Sequence, residues 1–182
     1  LALGRYYRNG TDLGLVMIEE LPTKHLLERQ GRRNGPVFRF DDNSLFSASL
    51  AFPENIDKYQ HFEQFRFYPL FEKSLMKKPA TATLVKTGKA MMRDYLLGRI
   101  AAIDIFDVKK WAKFVVLSDI WGATHGLGWS NIRLYLNPIT LKFEPIAWNS
   151  ITQIGSLKNA HTSINIRMIG GLDSLVFRMF QS

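Results

Sequence analysis

Hydrophobic and polar residues alternate in short runs near the start of the chain. Two such runs within residues 5–18 flank Asn9-Gly10. Asn-Gly between alternating runs is the strongest short-range turn signal, so this segment is predicted to form a β-hairpin. Residues 36–40 alternate again and are bounded by glycine and by a polar cluster, which predicts a third strand.

The next predicted elements are helical. Residues 22–30 are expected to form a short helix that begins at Pro22, carries an apolar stripe and ends before Gly31. Irregularly spaced aromatic residues over 53–78, with Pro69 among them, predict a loop followed by short helical pieces. Residues 81–99 have their apolar side chains on one side, which is typical of a helix packed against a core.

A further helix is predicted over residues 108–121. Asp107 is a good N-cap residue, and Gly122 can end the helix. Its buried face is expected to include Trp111, Phe114, Val115 and Ile120, and the other tryptophans, Trp121, Trp129 and Trp148, are expected to be packing residues first.

After a glycine-rich connector, residues 131–136 and 142–148 are predicted to pair as a second hairpin. Because the ends of a hairpin are adjacent, Asn131 and Asn149 are expected to face each other. The whole pattern, a β-rich beginning, a helical middle and a final hairpin, predicts a mixed α+β fold.

Length and composition limit the class of protein. The chain has 182 residues, 46% of them apolar and none of them cysteine, which suits a single domain over residues 1–182 without disulfides. No apolar stretch is long enough to cross a membrane, and no secretory signal pattern opens the chain. The first residue is Leu1, which leaves open a processed form or a fragment lacking upstream elements.

The net charge is +8, and the excess of basic residues is spread over the chain. No dense basic stripe with interleaved aromatics is apparent, so nucleic-acid binding is not expected. An anionic ligand such as a nucleotide would suit the same charge.

Candidate chemistry is concentrated between residues 119 and 150. Asp119 is predicted at a helix end, His125 in a glycine-rich loop, and Asn131 and Asn149 at the hairpin ends. Phosphoryl transfer uses these residue types: an Asp orients the attacking hydroxyl, and amide or carboxylate oxygens hold Mg²⁺. The plain alternatives are a salt bridge or cap for Asp119, a solvated loop histidine, and turn asparagines.

These residues resemble the signature of the spore-coat CotH kinase family. The likeness covers about residues 6–154 and is dense over 107–149. Gly14 and Glu20 resemble the family's G-x-Y-x-x-x-E strand, with Val16 in place of the tyrosine, and residues 35–40 resemble the strand that follows. The dense part consists of residues 117–122, His125, Trp129, Asn131, Arg133, Tyr135, Asn137-Pro138, residues 144–146 and Trp148.

The resemblance implies an atypical protein-kinase-like fold that binds ATP with Mg²⁺ or Mn²⁺ and phosphorylates Ser or Thr of a protein substrate. It implies that Asp119 is catalytic and that Asn131 is a metal ligand. The chemistry of its imidazole makes His125 a candidate base or hydrogen-bonding group in the same site. Glu20 would then be the partner of a phosphate-binding cation, Arg39, although ordinary surface pairing on adjacent strands is the alternative for these two. It also implies a bacterial cell-envelope or extracellular location.

One departure from the family pattern lies at Asn149, where the family has an aspartate that binds metal. A neutral amide oxygen can ligate Mg²⁺, but the loss of a negative charge weakens such a site. The alternative function is therefore a catalytically impaired, pseudokinase-like module that binds a nucleotide or a protein without transferring phosphate.

Overall fold

Two antiparallel sheets and five α-helices make up the described part of the chain, which comprises residues 2–41, 43, 66–149, 175 and 179 of this computed structural model. The α+β class is thus confirmed. The chain divides into two compact units, residues 1–34 and residues 35–182. The prediction of a single CotH-like domain stays a prediction.

The first unit contains the predicted hairpin. Strands β1 (Ala2–Arg8) and β2 (Thr11–Ile18) pair antiparallel. Asn9 and Gly10 both have positive φ, 51° and 81°, as the tight turn between two twisted strands requires.

Helix α1 (Lys24–Arg29) follows the hairpin. The predicted start at Pro22 is wrong, because Thr23 is still extended and forms the N-cap. Gly31 has φ of 68° just after the helix, the left-handed conformation expected where a helix ends.

The second unit is built on a four-stranded antiparallel sheet in the order β4-β3-β5-β6. Its strands are β3 (Val37–Phe40), β4 (Phe67–Pro69), β5 (Arg133–Leu136) and β6 (Phe143–Ile146). The strand predicted over 36–40 and the hairpin predicted from 131–136 and 142–148 are confirmed with shorter strands. In the hairpin, Leu136 pairs with Phe143 and Arg133 with Ile146.

Strand β4 corrects the prediction of loop and short helices between residues 53 and 78. Phe67 stacks on Phe38 of β3 with ring centroids 4.8 Å apart, and this contact places the segment at the sheet edge. Pro69 is tolerated there because an edge strand needs only one row of hydrogen bonds. A short helix, α2 (Glu72–Leu75), does follow as predicted, while the part of the predicted loop before residue 66 lies outside the described residues.

Helix α3 (Pro79–Leu96) packs on this sheet at Gly88. A Cβ atom there would lie 2.7 Å from Phe38 Cζ and 3.2 Å from Leu136 Cδ2, so glycine permits the close approach. The predicted helix 81–99 is confirmed with both ends shifted toward the N-terminus.

Two more helices complete the scaffold, α4 (Ala102–Ile105) and α5 (Val108–Ile120). Asp107 caps α5 as predicted, since its side chain accepts a hydrogen bond from Lys110 N at 3.2 Å. Trp111 is fully buried and donates its indole hydrogen to Phe143 O at 3.0 Å, which joins α5 to β6.

The predicted buried face of α5 is partly wrong. Phe114 and Val115 pack against the core, but Ile120 is 60% exposed and Trp121 is 64% exposed. Both residues lie at the end of the helix, beyond the turns that contact the sheet. Trp129 is buried and Trp148 is half-buried, as expected.

The core of the second unit lies between the sheet and helices α3 to α5. Phe38, Phe67 and Phe143 form its aromatic centre, and Leu175 and Met179 are buried in the same cluster. Among the described helices, none has the length and apolar character that a membrane crossing demands.

Candidate functional site

Two asparagine side chains meet where strands β5 and β6 begin and end. Asn131 precedes β5, Asn149 follows β6, and the Nδ2 of Asn149 donates to Oδ1 of Asn131 at 3.0 Å. Asn149 has a φ of 51°, a left-handed conformation that asparagine tolerates better than most residues. The expectation that the two amides face each other is therefore confirmed.

His125 joins this pair from the loop that connects α5 to β5. It lies in a single 3₁₀ turn, Thr124–Leu127. The Nδ2 of Asn131 is 3.2 Å from the carbonyl oxygen of His125 and 3.3 Å from its Nε2. We call His125, Asn131 and Asn149 the amide–histidine cluster.

Arg133 holds the two sides of this cluster in place. Its side chain is 5% exposed, and its Nη1 donates to the carbonyl oxygens of Ser130 and Ile132, which flank Asn131, at 3.0 Å each. The same guanidinium lies 5.5 Å from the ring centroid of Trp148, the neighbour of Asn149. One buried cation thus braces both amides, a role that sequence reasoning did not assign. An arginine at the first position of an otherwise apolar strand was the available signal.

Asp119 lies in the last turn of α5 and its side chain is exposed. Its carboxylate makes no hydrogen bond or ion pair with any residue that the structure describes, those of the amide–histidine cluster included. Its backbone oxygen accepts a hydrogen bond from Gly122 N. Gly122 has a φ of 60° and ends the helix. The catalytic assignment of Asp119 stays a prediction.

Glu20 and Arg39 do not lie on adjacent strands, which corrects that expectation. Glu20 follows β2, whose described partner is β1, whereas Arg39 is in β3 of the other sheet. Glu20 forms an ion pair with Arg29. Arg39 donates to Phe40 O at 3.1 Å and lies 6.0 Å from the ring centroid of Tyr68.

The amide–histidine cluster offers a divalent cation such as Mg²⁺ neutral ligand groups but no carboxylate. In the described part of the chain, no group of three or more His, Cys, Asp or Glu side chains is placed to hold a metal ion. Amide oxygens are ligands that Mg²⁺ and Mn²⁺ accept, but without a carboxylate they bind weakly. Asn131 and Asn149 are the residues that would supply them.

The far part of the same hairpin contains a buried charge that sequence reasoning also missed. Glu144 is almost fully buried, accepts from Asn137 Nδ2 at 2.8 Å, and lies 2.7 Å from Lys110 Nζ of α5. Partial burial opposes the charge on Lys110, but Glu144 and Asp107 together raise the pKa of its ammonium group. This ion pair fixes α5, and with it the loop to His125, against the hairpin.

Comparison with known proteins gives no match to a family model, to a curated protein or to a solved structure.

Proposed function

We propose that the chain is a CotH-like atypical kinase domain, which binds ATP with Mg²⁺ or Mn²⁺ at the amide–histidine cluster and transfers phosphate to Ser or Thr of a protein. Its α+β fold would then be of the atypical protein-kinase type. The observation that carries the proposal is the hydrogen bond between Asn149 and Asn131 beside His125. It brings together the residue types that a metal–nucleotide site uses, on two strand ends braced by Arg133.

The roles of the side chains follow from their chemistry. Asn131 and Asn149 would present amide oxygens to the cation, which neutralises charge on the phosphates. Asp119 would accept the proton of the attacking hydroxyl while a bond forms from that oxygen to the γ-phosphorus of ATP. The bond between the γ-phosphorus and the oxygen bridging to the β-phosphate breaks, and ADP leaves.

A second candidate function is nucleotide binding without phosphate transfer. The observation that favours it is the neutral character of the cluster, whose two amides are already hydrogen-bonded to each other. A cation bound here would have to displace that hydrogen bond, and the cluster offers it no carboxylate ligand. Such a module would bind nucleotide weakly and leave the acceptor hydroxyl unmodified.

Radiolabel transfer from γ-labelled ATP to a generic protein acceptor separates the two functions. We expect labelling that depends on Mg²⁺ or Mn²⁺ in the original chain and stronger labelling in Asn149→Asp, because a carboxylate binds the cation better than an amide. Asp119→Asn should abolish labelling in both backgrounds. Labelling in Asn149→Asp alone would favour the binding module.

A matched control introduces the same charge elsewhere. Asn34 is exposed and precedes the second unit, so Asn34→Asp should leave labelling unchanged. If neither the original chain nor Asn149→Asp transfers label, and neither shows a change in melting temperature with ATP and metal, both functions are excluded.

A further inference from the structure

Most of the net positive charge of the chain lies on one short stretch. Residues 66–100 contain eight basic and two acidic residues, whereas the whole chain has a net charge of +8. This stretch comprises strand β4, helices α2 and α3, and the turns that connect them. This corrects the expectation that the excess is spread over the chain: acidic residues in the preceding segment, 41–65, offset these basic residues when charge is summed over a longer stretch.

Contacts between helices α2 and α3 place these charges on adjacent elements. Glu72 of α2 forms ion pairs with Arg66, at 2.7 Å, and with Lys89 of α3. The hydroxyl of Thr81 in α3 donates to the carbonyl oxygen of Leu75 in α2. The one carboxylate of α2 is therefore already neutralised.

Four exposed lysines on this surface have no partner of opposite charge within the described residues. They are Lys73, Lys77, Lys78 and Lys86. Unpaired ammonium groups clustered in this way repel one another and attract a polyanionic surface.

Large apolar side chains protrude beside the lysines. Phe71 is 56% exposed and Met76 is 42% exposed, at the two ends of α2. Phe71 also has a φ of 57°, a conformation that is strained for a bulky residue. Strained backbone positions cluster at functional sites.

We propose that this surface, from Phe71 to Lys78 together with Lys86, docks on an anionic lipid bilayer. Phe71 and Met76 would enter the boundary between headgroups and acyl chains, while the lysines would lie at the level of the phosphates. Docking needs neither nucleotide nor metal.

The combination of groups favours a bilayer over a nucleic acid. A single strand of nucleic acid is bound by aromatic residues on which successive bases stack. Here one aromatic ring and a flexible thioether stand among lysines, and a thioether offers no stacking face but suits hydrocarbon. Lysine ammonium groups also attract phosphatidylserine without the bidentate geometry that arginine supplies.

Co-sedimentation of the full chain with vesicles tests the surface. The vesicles contain phosphatidylcholine with about one quarter phosphatidylserine, and the reference vesicles contain phosphatidylcholine alone. Each lysine near an anionic surface strengthens binding about fivefold, so Lys77→Glu/Lys78→Glu should weaken binding about 25-fold or more. Raising the salt concentration should weaken binding of the original chain in the same way.

A second variant removes the ring without harming the fold. Phe71→Gly keeps the backbone groups that cap α2 and relieves the positive φ, so the melting temperature should stay equal or rise. Binding to the anionic vesicles should still fall about tenfold, because the buried apolar area is lost.

The matched control reverses two exposed lysines on α5, Lys109→Glu/Lys113→Glu, which changes the net charge by the same amount. It should keep nearly all of the binding. Equal binding to both kinds of vesicle, no binding to the anionic ones, or loss of binding in the control would overturn the assignment. Retention of single-stranded DNA that rivals vesicle binding and is unchanged in Phe71→Gly would identify a nucleic-acid surface instead.

Discussion

The guanidinium of Arg133 lies over the indole ring of Trp148, 5.5 Å from its centroid, and connects the start of β5 to the residue before Asn149. Arg133 pairs with Ile146 across the antiparallel hairpin, and Trp148 follows Ile146 by two residues, so the two side chains lie close together. Hydrogen bonds from the Arg133 side chain to Ser130 O and Ile132 O fix the backbone on both sides of Asn131. The geometry of the two amides therefore depends on one buried arginine.

Replacing Arg133 by methionine should lower the free energy of unfolding by about 1–3 kcal/mol, because both hydrogen bonds and the cation–π contact are lost. Urea denaturation followed by tryptophan fluorescence measures this change, since all four tryptophans lie within residues 35–182. Arg93→Met, at an exposed position, should change stability by less than about 0.5 kcal/mol. Equal effects of the two variants would contradict the bracing role.

Gly88→Ala should destabilise the second unit although alanine is the better helix former. The added methyl group would lie 2.7 Å and 2.9 Å from the ring of Phe38, which is fully buried and stacked on Phe67. Overpacking of this kind costs about 1–3 kcal/mol, more than the gain of up to about 1 kcal/mol in helix propensity. Thermal denaturation would show a lower melting temperature, whereas Lys86→Ala on an exposed position of α3 should leave it almost unchanged. A rise in melting temperature for Gly88→Ala would mean that α3 does not pack on the sheet at this residue.

The elements that sequence predicted best are those fixed by local chemistry. Asn9-Gly10 can adopt two successive positive φ angles, and Asp107 offers its carboxylate to a free backbone amide, so each specifies its structure without help from distant residues. The contact between Asn131 and Asn149 could also be predicted locally, because a hairpin brings its own two ends together.

The errors arose where distant contacts decide the structure. Strand β4 is held by the stacking of Phe67 on Phe38 across the sheet, and three residues that end in a proline carry no periodic signal of their own. The exposure of Ile120 and Trp121 depends on where α5 leaves the sheet, which the amphipathic pattern of the helix does not encode. The alternative for Glu20 and Arg39, surface pairing on adjacent strands, is wrong because Glu20 follows a strand of one sheet and Arg39 lies in the other, and strand order across a fold is not encoded locally.

The ion pair of Lys110 with Glu144 predicts a loss of stability at high pH. Burial of Lys110 works against its charge, but the hydrogen bonds and charges of Glu144 and Asp107 raise its pKa in the folded state above the ordinary value of 10.5. The stabilisation is therefore complete below 10.5 and is lost as pH rises through the folded-state pKa.

Lys110→Met should remove this pH dependence and lower stability at neutral pH by about 1–3 kcal/mol, since Glu144 would stay buried without its cation. Urea denaturation at neutral pH and at several values above 10.5 measures both effects. Lys109→Met changes an exposed neighbour and should retain the behaviour of the original chain. Identical pH profiles for Lys110→Met and Lys109→Met would refute the proposed contribution.

Asn149→Asp should convert the amide pair into a site whose stability responds to metal. The new carboxylate cannot donate to Asn131 Oδ1, so two acceptors would face each other at the present distance of 3.0 Å, and the variant should melt below the original chain without divalent cations. A cation between the two oxygens relieves that repulsion and binds only the folded state, so the melting temperature should rise with Mg²⁺ or Mn²⁺ concentration. Differential scanning fluorimetry without nucleotide isolates this effect from phosphate transfer. The melting temperatures of the original chain and of the control Asn34→Asp should rise much less with the cation. Equal rises in all three proteins would show that the cation binds elsewhere.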